Sequence, residues 1–502
     1  MMRSIIVILG LLLCGERTLG AEWLWLESPH FDMISRADER SARELLIELE
    51  QFRTQFLKFT GLKLEVPRRN HVVLFDREEQ FEKYKPRFNG KTSNVAGYFS
   101  GTAIDAQIAL VLGRSRADAK RVIYHEYVHA LYDELGWQPP IWFNEGSAEV
   151  FSTFEVKGET AYFGRPPAWH IRLLKEHRLT PLPTIFATTE KSADYNEGLR
   201  QNLFYAESWL FVHYFAFSRD TALRGQLNSF LALLYAGNPV NEDTFRAAFG
   251  VGMAEVQQHL ESYVYGGAFG IATIPVDRGN LDKEIRARKA TDTEIERELT
   301  ILDIRVHDSP DSPYRLISLS ERDPASPRPH EAMAVLAMRS NDPQRLQEEL
   351  SRAAELGTTN IGTYFYLAKL LVATWLSQDV TVYKQIGENT ASQLRTLLQR
   401  VVRECPDSVE AWDGFARTEA FAPQPDRATV DQIESKVRTW QEEPQKLQTL
   451  MLVGFARKRL GNLEAAGAIA RYIDSSPLTA NSTRRLNRTL LGELLKPKSD
   501  FP

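Results

Sequence analysis

The sequence predicts an α+β unit, a mixed sheet joined to a set of helices, followed by an all-α array of helical repeats. Three observations predict it. Residues 22–114 alternate strand-like and helix-like periodicity, residues 115–270 read as mainly helical, and antiparallel helix pairs recur after the glycine-rich stretch 266–270.

The elements follow in order. Residues 23–25 and 30–35 read as strands. Residues 42–59 read as an amphipathic helix, because Leu45, Leu46, Leu49, Phe52, Phe56 and Phe59 recur at helical spacing. The run 71–75, His-Val-Val-Leu-Phe, is a buried strand, and 97–102 with 107–112 form a hairpin. A helix is expected around 119–135, with Ser115 as N-cap and Gly136 as its stop. Pro139 and Pro140 then force a turn, and a second helix starts near Trp142. Helices at 202–215, 245–250 and 256–263 close this unit. Beyond it, 331–338 with 343–356, 409–420 with 429–442, and 447–460 with 461–470 read as helix pairs. The expected division is a signal segment at 1–21, a first domain at 22–270, a helical linker at 271–325 and the repeats at 326–502.

The chemistry concentrates in two short segments. His125-Glu126-Tyr127-Val128-His129 is followed by Asn144-Glu145-Gly146-Ser147-Ala148-Glu149. Residues four apart share one helix face, so His125 and His129 point at the same spot. Glu145 adds an anionic third ligand from the next helix, giving the two-histidine, one-glutamate set of a hydrolytic zinc site. Glu126 is turned about 100° from His125 around the helix axis, where a carboxylate reaches the water at the open position. A ligating histidine usually donates its other ring N–H to a carboxylate. Glu149, one turn after Glu145, takes that role towards His125 or His129, with Asp133 as its rival. His170, His177 and His213 read as structural histidines.

These residues resemble a gluzincin metallopeptidase, specifically the bacterial peptidase-MA-like proteins. The match lies in HEYVH at 125–129 and in Pro-x-Trp-x-x-Glu-Gly-x-Ala-Glu from Pro140 to Glu149. The opening segment from Trp25 through Ser35 is similar to that family's first strands, and the likeness covers roughly residues 22–270. It implies a zincin-like catalytic domain with Zn2+ as cofactor, and Glu145 rather than Asp133 as ligand. The resembled fold binds the substrate backbone on an antiparallel edge, placed here around 97–102. By placement, Tyr205 resembles the tyrosine that opens an analogous helix in related gluzincin aminopeptidases; it would donate to the oxyanion of the tetrahedral intermediate. The Gly-x-Met-Glu-Asn motif of those aminopeptidases is absent, which favours an endopeptidase or an atypical role. The stretch 461–470 resembles a tetratricopeptide repeat, so the C-terminal part is expected to be a TPR-like solenoid that can bind a protein partner.

Composition bounds the rest. A chain of 502 residues with 43% hydrophobic and 25% charged residues suits two or three globular domains. A net charge of -5 argues against nucleic acid as a partner. Arg3, the apolar run 4–13 and the small residues at 18–21 read as a secretory signal, hence an exported protein, periplasmic or extracellular, with no membrane span after cleavage. Cleavage would remove Cys14, leaving Cys405 with no intramolecular partner for a disulfide. The expectation is a secreted or periplasmic zinc-dependent metallopeptidase that hydrolyses peptide bonds through a zinc-activated water. The alternative is a catalytically silent envelope scaffold binding protein partners through the helical repeats.

Overall fold

A computed structural model describes residues 22–495 except 89–90, 93–94, 113–115, 190, 193–194, 196–197, 218–220, 277–278, 308, 378–384 and 442. The expected signal segment and the Ser115 cap lie outside the described residues.

The organising element is a six-stranded sheet. Its order is Arg286–Lys289, Leu24–Glu27, Phe31–Ser35, Asn70–Phe75, Asp105–Val111 and Gly97–Thr102. The three strands from Phe31 to Val111 run parallel, and the flanking pairs are antiparallel. Asn70–Phe75 and Asp105–Val111 are buried along their whole length, which explains their nearly continuous apolar sequence. Helix Glu39–Thr60 covers one face, setting Leu45, Leu49, Phe52 and Phe56 into a core with Val72, Leu74, Ile108 and Leu110. Asp38 caps its start by accepting from the Ser41 N–H, and Gly61 ends it in the left-handed conformation.

Residues 271–325, expected as a helical linker, begin with two strands. Ala272–Pro275 pairs with Thr160–Phe163, and Arg286–Lys289 forms one edge of the main sheet. Helix Asp292–Val306 then covers the second face of that sheet, placing Leu302 against Trp25, Val73 and Phe75. The sequence hides this edge strand because Arg-Ala-Arg-Lys has no apolar alternation. It is stabilised instead by the Arg288 guanidinium over the Trp25 ring and by the Arg288–Glu294 ion pair.

The C-terminal part is helical-repeat-like. Helices Arg328–Arg339 and Pro343–Glu355, Val409–Phe421 and Arg427–Arg438, and Pro444–Arg459 and Leu463–Ser475 correspond to the three expected pairs. Ile361–Ser377 and Glu388–Glu404 add a further pair between the first and second. Leu350, Leu394, Leu398, Trp412, Phe415, Leu450 and Ile469 belong to one shared core.

A buried ionic network joins the two parts. Asp105, at the start of its strand, meets Arg305 and, at 3.3 Å, Arg328; Arg328 also pairs with Glu298 and Glu331. Asn360 bridges the same seam, donating to the Ile104 carbonyl at 2.8 Å and accepting from the Arg69 N–H at 3.1 Å. Among the described residues, no helix is long and apolar enough to cross a membrane.

Candidate metal centre

Helix Arg116–Glu134 carries the first segment. Ile123, Tyr124, Tyr127, Val128, Ala130 and Leu131 are buried in the core, leaving His125 and His129 half-buried on another face. Gly136, with φ of 65°, ends the helical run as its sequence predicts. Pro140 then caps helix Ile141–Phe151, where Glu145 is buried. Gly146 lets that helix lie against helix Gly198–Ala216: a Cβ there would sit 2.3 Å from the Ser208 carbonyl oxygen. This close approach keeps Glu145 turned towards the histidines.

His125 Nε2 lies 3.3 Å from Glu145 Oε2, and His129 Nε2 lies 3.6 Å from the same oxygen. The three candidate ligand atoms all fall within 4.8 Å of one another. A tetrahedral zinc at about 2.0–2.1 Å from each ligand sets the ligands roughly 3.3 Å apart, close to the two histidine–glutamate separations.

The outer partners fix which nitrogen faces the centre. His125 Nδ1 is 3.3 Å from Glu149 Oε1, and His129 Nδ1 is 2.9 Å from Asn144 Oδ1. In the neutral tautomers that donate Nδ1–H to these oxygens, both Nε2 lone pairs face a carboxylate oxygen. Glu145 Oε2 is buried and makes no hydrogen bond among the described residues. In that arrangement the three acceptors need a positive charge among them, which a proton or a metal ion can supply. The electrostatics carry the same message. Burial opposes charge on every member, yet Glu145 and Glu149 outweigh it and raise the His125 pKa well above its ordinary value. His129 is also raised against burial, mainly by Glu145. Burial likewise opposes the charged carboxylates, but the imidazoles hold Glu145 and Glu149 far below the usual carboxylate range. The donor set and its surroundings therefore fit a divalent cation such as zinc.

Glu149 faces His125, not His129. The rival Asp133 pairs with Arg68 at 2.6 Å, and His129 is served by Asn144 instead. His170 is more than a packed histidine: its Nε2 is 2.9 Å from Glu149 Oε2, bracing the carboxylate that holds His125. His213 is a core histidine, bonded to the Gly164 carbonyl and the Tyr263 hydroxyl, with burial pushing its pKa down to about 4. His177 ends helix Ala168–Glu176.

Glu126 opens onto a cleft of about 460 Å³ that His125, Glu149, Gly97 and Tyr205 also line. Its Oε2 accepts from the Phe99 N–H at 3.4 Å, so the carboxylate lies beside the open edge of the sheet. The Tyr205 ring is 6.1 Å from that of His125. Burial and the Glu145 charge push the Tyr205 phenol far above its ordinary pKa, which keeps it protonated and able to donate.

Asn144 and Tyr195 belong to the candidate site although the sequence pattern does not single them out. Asn144 had a signal, since it directly precedes Glu145. Tyr195 had none: it is 50 residues from Glu145, yet its hydroxyl donates to Glu145 Oε1 at 2.9 Å and its ring stacks on Tyr205 at 6.1 Å. The bond fixes the orientation of the carboxylate, with Oε2 towards the two histidines. We expect Tyr195→Phe to weaken zinc binding roughly 10–100-fold, as loss of outer support does elsewhere. Competition with a chelator of known affinity checks it, and unchanged affinity would refute the role.

No family model and no curated protein matches the chain. Among solved structures, a tetratricopeptide repeat protein from Parabacteroides merdae is similar over 61% of this chain and 97% of its own, at 12% identity. The TM-score of that superposition is 0.21, which establishes no common fold.

Proposed function

We propose that the chain is an exported zinc metallopeptidase of the gluzincin type, with a zincin-like domain followed by a TPR-like array. One observation carries the reading: His125 Nε2, His129 Nε2 and Glu145 Oε2 converge at ligand spacing beside Glu126. A zinc ion held there would supply Lewis acidity and bring a water's pKa towards ~7.

The chain's own residues divide the remaining work. The edge strand Gly97–Thr102 offers backbone groups to an extended peptide, which takes over the Phe99 N–H from Glu126 and sets its scissile carbonyl towards the histidines. Glu126 takes the proton of the attacking water and passes it to the leaving nitrogen, acting as base and then acid. Tyr205 donates its O–H where negative charge develops on the carbonyl oxygen. Replacing Tyr205 with Phe is expected to cost roughly 10²–10³ in kcat with zinc retained. Steady-state kinetics on a cleaved peptide checks this, and an unaltered kcat would remove Tyr205 from the mechanism.

The deciding experiment is elemental analysis of the purified protein, beside a His125→Ala/His129→Ala variant, with cleavage of a peptide library by both. About one zinc per chain and cleavage, both lost in the variant, is the expected result. A folded native protein that takes up no zinc when offered it would overturn the reading.

A further inference from the structure

We infer that Arg121 binds a carboxylate of the substrate, making the site selective for peptides with an acidic side chain or a free C-terminus near the scissile bond. The inference rests on the metallopeptidase reading and adds a substrate class to it. Arg121 lies one turn before His125 on the same helix, and therefore on the same face. It lines the cleft of His125 and Glu126, and also a neighbouring cavity of about 920 Å³ that shares Ser152 with that cleft. Arg121 and Ser152 thus lie where the two spaces adjoin.

The hydrogen-bonding capacity of that guanidinium is unspent. A guanidinium carries five N–H donors, and Arg121 makes no hydrogen bond among the described residues. Its Nε is buried without a partner, and its nearest carboxylate oxygen, Glu149 Oε2, is 3.6 Å from Nη2. Glu149 is already engaged, with Oε1 towards His125 and Oε2 towards His170. Of the other cations lining the larger cavity, Lys120 pairs with Glu48 at 2.6 Å and Arg165 with Glu155 at 2.6 Å, while Lys283 lines that cavity but not the cleft of His125 and Glu126. The Arg121 side chain keeps 40% of its surface exposed, so the donors are accessible from the cleft. A planar fork of this kind accepts a carboxylate with two parallel hydrogen bonds. Four residues of helix span about 6 Å, or roughly two residues of extended peptide. A carboxylate seated on Arg121 therefore lies within about two residues of the bond presented to His125.

The test uses the zinc-loaded full chain and four short peptide hydroxamates, measured by titration calorimetry. One carries Asp beside the chelating group and its match carries Asn. One ends in a free carboxylate and its match in an amide. The native chain is expected to bind the Asp probe or the carboxylate-ended probe roughly 10–100-fold more tightly than its neutral match, and the pair that responds identifies the source. Arg121→Gln should abolish that preference with zinc content unchanged, and Arg121→Glu should reverse it. Equal binding of acidic and neutral probes by the zinc-loaded native chain would overturn the inference and leave the metallopeptidase reading standing. So would an Arg121→Gln variant that weakens zinc and all four probes alike, because Arg121 would then serve only Glu149. A native chain without zinc, read separately by elemental analysis, would overturn both.

Discussion

Glu126→Gln is expected to retain its zinc and to lose peptide hydrolysis by roughly 10²–10⁴-fold, the share that positioned proton transfer contributes. Glu126 is outside the convergent set of His125, His129 and Glu145, so removing its charge leaves the ligands intact. The amide keeps the shape of the side chain and can still meet the edge strand, where Glu126 accepts from the Phe99 N–H. What it cannot do is take a proton. Zinc content and kcat/KM measured on one preparation separate the two properties. Full activity in Glu126→Gln would remove it as the base, whereas loss of zinc would show that it belongs to the metal's support.

Asp105→Ala should destabilise the protein by about 3–5 kcal/mol, because it removes the carboxylate that buried Arg305 pairs with and one of the three that Arg328 meets. Asp105 is fully buried between the sheet and the helical array, facing Arg305 and Arg328. Burial by itself would raise its pKa, but the two guanidinium groups outweigh that and hold the carboxyl well below the usual range. Glu298, buried in the same network, is brought down to about 2, with Arg328 and Arg297 again outweighing burial. Both pKa values are depressed on folding. Their contribution is therefore fully present above the unfolded carboxylate value of about 4 and is lost as pH falls through the folded values. Thermal unfolding followed from pH 6 down to pH 2 should show this acid loss in the native chain. The same component should be reduced in Asp105→Ala, and identical acid profiles for the two would contradict the assignment.

Much of the architecture was legible because it is local. The helix Glu39–Thr60 follows from apolar spacing, the stop at Gly136 from one glycine, and the hairpin strands Gly97–Thr102 and Asp105–Val111 from their apolar content. The edge strand Arg286–Lys289 was not legible. Arg286, Arg288 and Lys289 are exposed and only Ala287 packs on the core, so no apolar period marks the strand, and pairing with Leu24–Glu27 across more than 250 residues makes it one.

The candidate site divides in the same way. The sequence by itself determined that His125 and His129 share a helix face and that Glu126 stands beside them, because 3.6 residues per turn is a property of the backbone alone. It also supplied Glu145 and Glu149 on one face of the next helix. Only the tertiary structure decided that Glu149 holds His125 while Asn144 holds His129, that Asp133 turns away to Arg68, and that His170 and Tyr195 brace the two carboxylates. Those partners come from separate elements, and which polar atoms meet in a buried space is fixed by the packing of helices, such as the close approach at Gly146, rather than by spacing along the chain.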